Sequence, residues 1–351
     1  MLMSTWVEYP STYRQAEVNA ICAALRAGEC VSLVGLSGAG KSNLVGFLCG
    51  RVGEVGLPAF FLADCNRLSR NEPAALFYLL AEVIGGGEPD GPVSLRGVEK
   101  LVGRRLAERP GGLCLVLDRF DALNQAGSGG TADSLRALRD RFKYQLTFLT
   151  ATRHPLAPNS ELAELFYAHT LWLGPLSAAD ARWSALGYAA RRGAAWGEAV
   201  LKRLIELSWG YPALLRAVCE AYAAGAELEA SALRAHPAVQ RRAAEFWMDQ
   251  PSPEEVRLSG LEGQPLLAGG AALEVDPASL TAAEQRLLDY LRLHPGRVCS
   301  KDELVGAVWP EESAAAGIRD ESLAQLVHRL RDKIGTRFVQ TVAGRGYRFN
   351  P

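Results

Sequence analysis

The octapeptide Gly35-Leu36-Ser37-Gly38-Ala39-Gly40-Lys41-Ser42 has the form G-x-x-x-x-G-K-S. This is the pattern of a glycine loop that cradles phosphate. The preceding Cys30-Val31-Ser32-Leu33-Val34 is short, apolar and partly β-branched, as a buried strand would be. Beyond the loop, Leu44, Val45, Phe47 and Leu48 recur at helical spacing. Strand, loop and helix is the setting the motif requires. Glycines let successive N–H groups turn inward at the positive end of a helix, where phosphate oxygens are held. The candidate nucleotide contacts are therefore Gly35, Ser37, Gly38, Gly40, Lys41, Ser42 and the adjoining Asn43. Lys41 would reach the β- and γ-phosphates, and Ser42 would hold Mg²⁺, so the cofactors expected are ATP or ADP with Mg²⁺.

Working outward, strands alternate with helices. Residues 13–26 are amphipathic, and Gly28 follows to stop the helix. A second strand is predicted over 60–63, helices over 72–84 and 98–108, and a third strand over 113–117 ending in Asp118. A hydrophobic run closed by an acid matches the Walker B pattern, which makes Asp118 a second Mg²⁺-associated residue. Asp121 lies three residues on. Residues 125–131 read as a polar loop, 135–143 as a helix, and 146–150 and 169–173 as further strands. Alternation of this kind implies a parallel sheet covered on both faces, with ligand at the carboxyl ends of the strands. From Ser177 the pattern is helical alone, which suggests a lid over 176–248 following a nucleotide-binding domain over 1–175. Residues 249–274 are rich in Pro and Gly, lack clear periodicity, and read as a linker.

A last unit is expected over 275–351. Residues 280–293 form an amphipathic helix, Ser300 with Glu303 makes a capping box before a second, and a third covers about 319–334. Residues 338–342 alternate as a strand before a glycine turn at Gly344 and Gly346. Three helices and a hairpin make a winged helix-turn-helix. The fold class is thus α/β, with a winged helix appended.

Composition narrows the function. The chain has 351 residues, enough for two or three domains, and 48% of them are apolar. A net charge of −1 gives no chain-wide attraction to nucleic acid or membrane, so any DNA affinity must come from a local patch. Seven cysteines lack ligand-like spacing and read as buried thiols in a reducing compartment. No signal peptide is seen in residues 1–10, and no apolar run reaches the ~18 residues of a membrane span. A cytoplasmic protein with no membrane partner is expected.

On these motifs the first two units resemble the STAND branch of AAA+-like P-loop NTPases, and also Orc/Cdc6 initiators. Tyr13-Arg14-Gln15-Ala16-Glu17 is similar to the G-R-E-x-E segment near the nucleotide in those families, without its glycine. The resemblance implies a nucleotide-proximal role for Arg14. It implies a sensor role for Arg153 in Thr152-Arg153, and an adenine contact for Pro212 in Gly210-Tyr211-Pro212. Asp118, Asp121 and Arg153 are the candidate catalytic residues. The glutamate that activates water in many relatives is replaced by Arg119, and a second by Ala122, so slow, switch-type hydrolysis is expected.

Residues 280–349 resemble the OmpR/PhoB-type effector domain. His328-Arg329-Leu330-Arg331 is similar to its R-R-L-R run, and Thr341–Arg348 to its T-V-R-G-x-G-Y-R wing. The implied DNA-binding residues are Gln325, His328, Arg329, Arg331, Lys333, Arg345, Tyr347 and Arg348. Three functions remain open: a nucleotide-switched transcription regulator that self-associates with ATP and binds double-stranded DNA, a STAND-type scaffold whose winged helix contacts a protein partner, and an Orc-like initiator or transposition helper.

Overall fold

The computed structural model describes residues 9–50, 56–68, 72–108, 111–123, 129–156, 163–166, 168–268, 280–294, 297–309, 320–334, 338–342 and 344–349. They fall into two compact units. The first comprises residues up to Val239 together with Pro251–Gln264, and the second Gln240–Gln250 with the residues from Pro265 onward.

In the first unit the order is α1 (Gln15–Arg26), β1 (Val31–Val34), α2 (Lys41–Gly50), β2 (Ala59–Asp64), α3 (Pro73–Gly85), α4 (Leu95–Glu108), β3 (Leu113–Asp118), α5 (Gly129–Arg141), β4 (Leu146–Thr152), α6 (Ala163–Phe166) and β5 (Thr170–Trp172). The strands form one parallel sheet in the order β2-β3-β4-β1-β5. β1, β3 and β4 are buried along their whole length. That fits the unbroken apolar run Leu113–Leu117 of β3, since strands covered on both faces carry no polar side to alternate, whereas β1 and β4 bury the small hydroxyl residues Ser32, Thr147, Thr150 and Thr152 as well. Because β4 lies between β1 and β3, its carboxyl end sits between the glycine loop and Asp118. The register sets Val34 beside Thr152, and Asp64 beside Asp118.

Several boundaries differ from the sequence expectation. Part of the loop read over 125–131 lies outside the described residues, but α5 already begins at Gly129. β4 runs to Thr152, which extends the strand to the base of the sensor position. Arg14 is not in the first helix. It caps α1 in the left-handed region, at φ 45°.

After the sheet come α7 (Ala178–Arg191), α8 (Glu198–Ser208), α9 (Pro212–Ala223), α10 (Ala230–Ala235) and α11 (Pro237–Met248). Ser177 caps α7 by accepting the Asp180 N–H. Pro212 stands at the start of α9, where a missing N–H costs no helical bond. Within 249–274, α12 (Pro253–Leu258) forms behind a Ser252/Glu255 capping box. Six residues are too few to show a period, so the sequence reads there as irregular. The segment bonds into the first unit: Glu255 meets His154 at 2.8 Å, and the Gln264 side-chain amide donates to Leu207 O at 2.8 Å.

The second unit holds α13 (Ala282–Leu293), β6 (Val298–Cys299), α14 (Lys301–Val308), α15 (Asp320–Ile334), β7 (Val339–Val342) and β8 (Gly346–Phe349). The strands form an antiparallel sheet, β6-β8-β7. β6 is an addition to the expected hairpin, since two residues carry no legible alternation. Its close pairing explains Gly346: a Cβ there would stand 2.0 Å from Cys299 O. Leu287, Leu291, Leu304, Leu326, Leu330 and Phe349 lie in one shared core. Among the described residues, no helix is long and apolar enough to cross a membrane.

Candidate functional site

The glycine loop joins β1 to α2, and the acids at the ends of β2 and β3 stand at the same edge of the sheet. The Ser42 hydroxyl hydrogen-bonds the Asp118 carboxylate, so the two residues expected to share Mg²⁺ are in contact. Asp118 is buried. Burial pushes its carboxyl above the usual range, against the Ser42 hydrogen bond and the nearby Arg119 guanidinium. A hydroxyl and a carboxylate are hard oxygen donors, which fits Mg²⁺ bound through few protein ligands plus phosphate and water. Asn43 is exposed at the start of α2.

Around this pair the acids and arginines are arranged in couples. Arg119 is left-handed at φ 56° and its N–H donates to Asp118 Oδ1 at 3.0 Å. Its guanidinium turns to Asp64, 3.1 Å away, so the residue in the usual glutamate position carries a cation paired outward. Asp121 accepts the Arg153 N–H at 2.6 Å, and Arg153 Nε lies 3.5 Å from its other oxygen. The expected catalytic set Asp118, Asp121 and Arg153 thus gathers at the ends of adjacent strands. Asp64, which faces Arg119, was not foreseen; its only signal was being an acid at the end of a strand.

The lid meets the loop directly. The Tyr211 hydroxyl lies 2.7 Å from Ser37 O and 3.1 Å from Leu36 O, and the Ala213 N–H donates to Gly38 O at 3.2 Å. A Cβ on Gly38 would come 2.3 Å from Ala213 Cβ, and its φ of +84° is left-handed. Pro212 Cγ would lie 3.6 Å from a Cβ on Gly40. Lys41 Nζ bonds Gly35 O and reaches Leu36 O at 3.4 Å.

Arg14 is buried, not open to a ligand. Its guanidinium donates to Ala39 O and Gly174 O, both at 2.9 Å, and pairs with Glu17 at 2.8 Å. Its backbone N–H donates to Asp180 Oδ2 at 3.1 Å. Tyr13, beside it, packs edge-on against Phe47 of α2 at 5.5 Å, and burial pushes its hydroxyl up to about 12. The sequence motif marked Arg14 and Pro212 but gave no sign that Tyr211 would touch the loop.

The second unit presents α15 and the β7–β8 turn. Gln325, His328, Arg329 and Lys333 are exposed on α15, and Arg345 is exposed at the turn. His328 pairs with Asp332 at 3.0 Å, and Lys333 pairs with the buried Glu284 at 2.6 Å. Arg331 and Tyr347 are placed in packing instead of on an open surface. Arg331 donates to Val339 O and to Thr341 Oγ1, each at 2.8 Å, with its guanidinium 5.9 Å from the centre of the buried Tyr347 ring. Arg348 is half-buried and bonds Gln340. The surface free of such ties centres on Gln325, Arg329 and Arg345, with Ser322 exposed one turn before Gln325.

Comparison with known proteins bears chiefly on this second unit. Residues 276–349 match the family model described as transcriptional regulatory protein, C terminal. The two-component response regulator PhoP of Pseudomonas aeruginosa is 37% identical over 84 residues, 22% of this chain and 36% of that protein. The phosphate regulon transcriptional regulatory protein PhoB of Escherichia coli is 32% identical over 105 residues, 28% of this chain and 42% of that one. The chain therefore spans well under half the length of the curated relatives it matches. Among solved structures, the Walker-type ATPase PABY2304 of Pyrococcus abyssi superposes with a TM-score of 0.49 at 16% identity, covering 100% of this chain and 97% of that one. Cdc6p of Pyrobaculum aerophilum gives 0.47 at 17% identity, covering 99% and 92%. The protein is thus an α/β chain with a phosphate-loop sheet, ending in a winged helix of the OmpR/PhoB type.

Proposed function

We propose that the chain is an ATP-binding switch that regulates transcription, or another DNA-linked process, through its winged helix. The observation that carries this reading is the contact of Ser42 with Asp118 at the mouth of a G-x-x-x-x-G-K-S loop, in a chain whose residues 276–349 match a regulatory DNA-binding family. Ser42 and Asp118 would hold Mg²⁺, which would supply positive charge against the phosphates. The chain's own residues set the rest. On this reading loop N–H groups and Lys41 bind phosphate, and Arg153, bonded to Asp121, serves as the sensor of the terminal phosphate. With Arg119 in place of a glutamate directly after Asp118, and paired to Asp64, water is poorly activated and the ATP state persists.

On this reading Arg329 and Gln325, exposed on α15, enter the major groove and the exposed Arg345 reaches the minor groove. Because net charge is near zero, one such face binds weakly, and ATP-driven self-association would multiply it. The test is calorimetry with ATP and Mg²⁺ on the full chain and on Lys41→Ala, followed by fluorescence anisotropy with duplex DNA. Binding of ATP by the parent chain and its loss in the variant is expected. Equal affinity in both would remove the phosphate-loop reading.

A second reading has its own support. His328, Arg331 and Lys333 each have an intramolecular partner, which thins the basic face. A winged helix of that kind serves as a protein-docking module in a signalling scaffold. Absence of salt-dependent duplex binding in every nucleotide state would favour it.

A further inference from the structure

Every carbonyl of the loop from Gly35 to Gly40 receives a donor. Lys41 serves Gly35, Tyr211 serves Leu36 and Ser37, the Ala213 N–H serves Gly38, Arg14 serves Ala39, and the Leu44 N–H serves Gly40 at 3.0 Å. A peptide unit is planar and trans, so its C=O and the following N–H point to opposite sides. Fixing the carbonyls of Ser37 and Ala39 toward Tyr211 and Arg14 therefore turns the N–H groups of Gly38 and Gly40 the other way. An inward row of N–H groups is what holds an anion. The donors that impose this orientation come from outside the loop, from the turn before α1 and from the start of α9.

We propose that Tyr211 and Arg14 are positioning residues that hold the loop in its phosphate-receiving shape, so that phosphate binding and docking of the α9 start are one linked equilibrium. The proposal rests on the nucleotide reading above. It goes further by naming the lid hydroxyl that couples the two events. Packing alone does not account for this placement. A phenylalanine would fill the same buried space, whereas the hydroxyl is aimed at two carbonyls of the binding loop. The contact is also tight, since Gly38 leaves no room for a Cβ against Ala213. Arg14 extends the tie. It joins Ala39 to Gly174, beyond β5, and its N–H engages Asp180, which also accepts the Ser177 hydroxyl at 2.8 Å. Linkage is reciprocal, so the factor by which the docked lid raises ATP affinity is the factor by which ATP favours docking.

The experiment uses the full chain with a fluorescent ATP analogue and Mg²⁺, and hydrogen exchange with and without ATP. Tyr211→Phe is compared with Tyr188→Phe, a like deletion at a buried lid tyrosine whose hydroxyl has no hydrogen-bond partner among the described residues. Tyr211→Phe should weaken binding about tenfold, within the range for a lost bond to buried backbone groups, and Tyr188→Phe should leave it unchanged. Arg14→Met should weaken it at least as much, with partial recovery in Arg14→Lys. In the parent chain, ATP should slow exchange of the amides from Ala213 to Leu215, and less so in Tyr211→Phe. A purely structural role would lower thermal stability in Tyr211→Phe while affinity, and the slowing by ATP, stayed as in the parent. That result overturns the proposal and leaves the nucleotide reading standing, provided Lys41→Ala loses ATP. If Tyr211→Phe does not fold, the exchange measurement on the parent chain decides: no ATP-dependent change over Ala213–Leu215 overturns the coupling. A folded parent chain that binds no ATP overturns both readings.

Discussion

Arg331→Ala is expected to loosen the wing before it affects any DNA contact. The guanidinium holds Val339 O and Thr341 Oγ1, each at 2.8 Å, and lies against the face of Tyr347. Val339 is fully buried, so its carbonyl has little access to replacement water. A hydrogen bond from a charged donor contributes about 1.5–3 kcal/mol. One bond here goes to a buried carbonyl and the other to an exposed threonine, so the loss is set at about 2 kcal/mol for the pair. Local opening of β7 and β8 then becomes roughly thirtyfold more frequent, at tenfold per 1.4 kcal/mol. Hydrogen exchange by mass spectrometry on the full chain reads this directly in peptides covering Val339–Val342 and Gly346–Phe349. Faster exchange there, with the sheet of the first unit unaffected, is the expected outcome. Unchanged exchange, together with a drop in the salt dependence of DNA binding, would refute the reasoning and return Arg331 to the surface.

Arg329→Ala should do the opposite, leaving wing exchange alone while flattening the slope of log K against log salt by about 1 if it meets phosphate, or costing about 1–3 kcal/mol at one base pair if it meets a base. ATP turnover by the parent chain should fall well below about 10 s⁻¹, an ordinary enzyme rate, and Asp118→Asn should lower it further in a phosphate-release assay. The winged helix should lose stability in acid through Glu284. Burial alone would raise that carboxyl, but hydrogen bonds from Lys333 and Thr281 and the Lys333 charge hold it below the usual range. A folded value below the unfolded one means its contribution is full above about pH 4.3 and is lost as pH falls toward the folded value. Glu284→Gln should remove that acid-side dependence in circular dichroism melts across the same pH range.

The sequence was most legible where the chemistry is local. A glycine loop between a buried strand and a helix with recurring apolar residues is set by neighbouring residues, and the capping box at Ser300 appears with both of its hydrogen bonds. It was least legible where a residue's role depends on a distant partner. Arg14 looked like a ligand contact, and its burial beneath Ala39 and Gly174 depends on residues 25 and 160 positions away. Arg331 has the spacing of an exposed helical arginine, and only the return of β7 supplies its acceptors. Tyr211 stood inside a recognised turn, yet a tyrosine's hydroxyl partner is not encoded by its neighbours. β6 and α12 fell below the length at which periodicity can be seen, and pairing with β8 and the Ser252 cap, respectively, define them.

In the proposed function, nucleotide state governs the winged helix. Its most direct test is the affinity of the full chain for duplex DNA, selected by the protein itself from a random-sequence pool, measured by anisotropy with ATP and Mg²⁺, with ADP and Mg²⁺, and without nucleotide. Affinities that differ by about tenfold between the ATP and ADP forms are expected, a usual size of coupling between sites, with the difference abolished in Lys41→Ala. Identical affinity in all three states, in a chain shown to bind ATP, would contradict it.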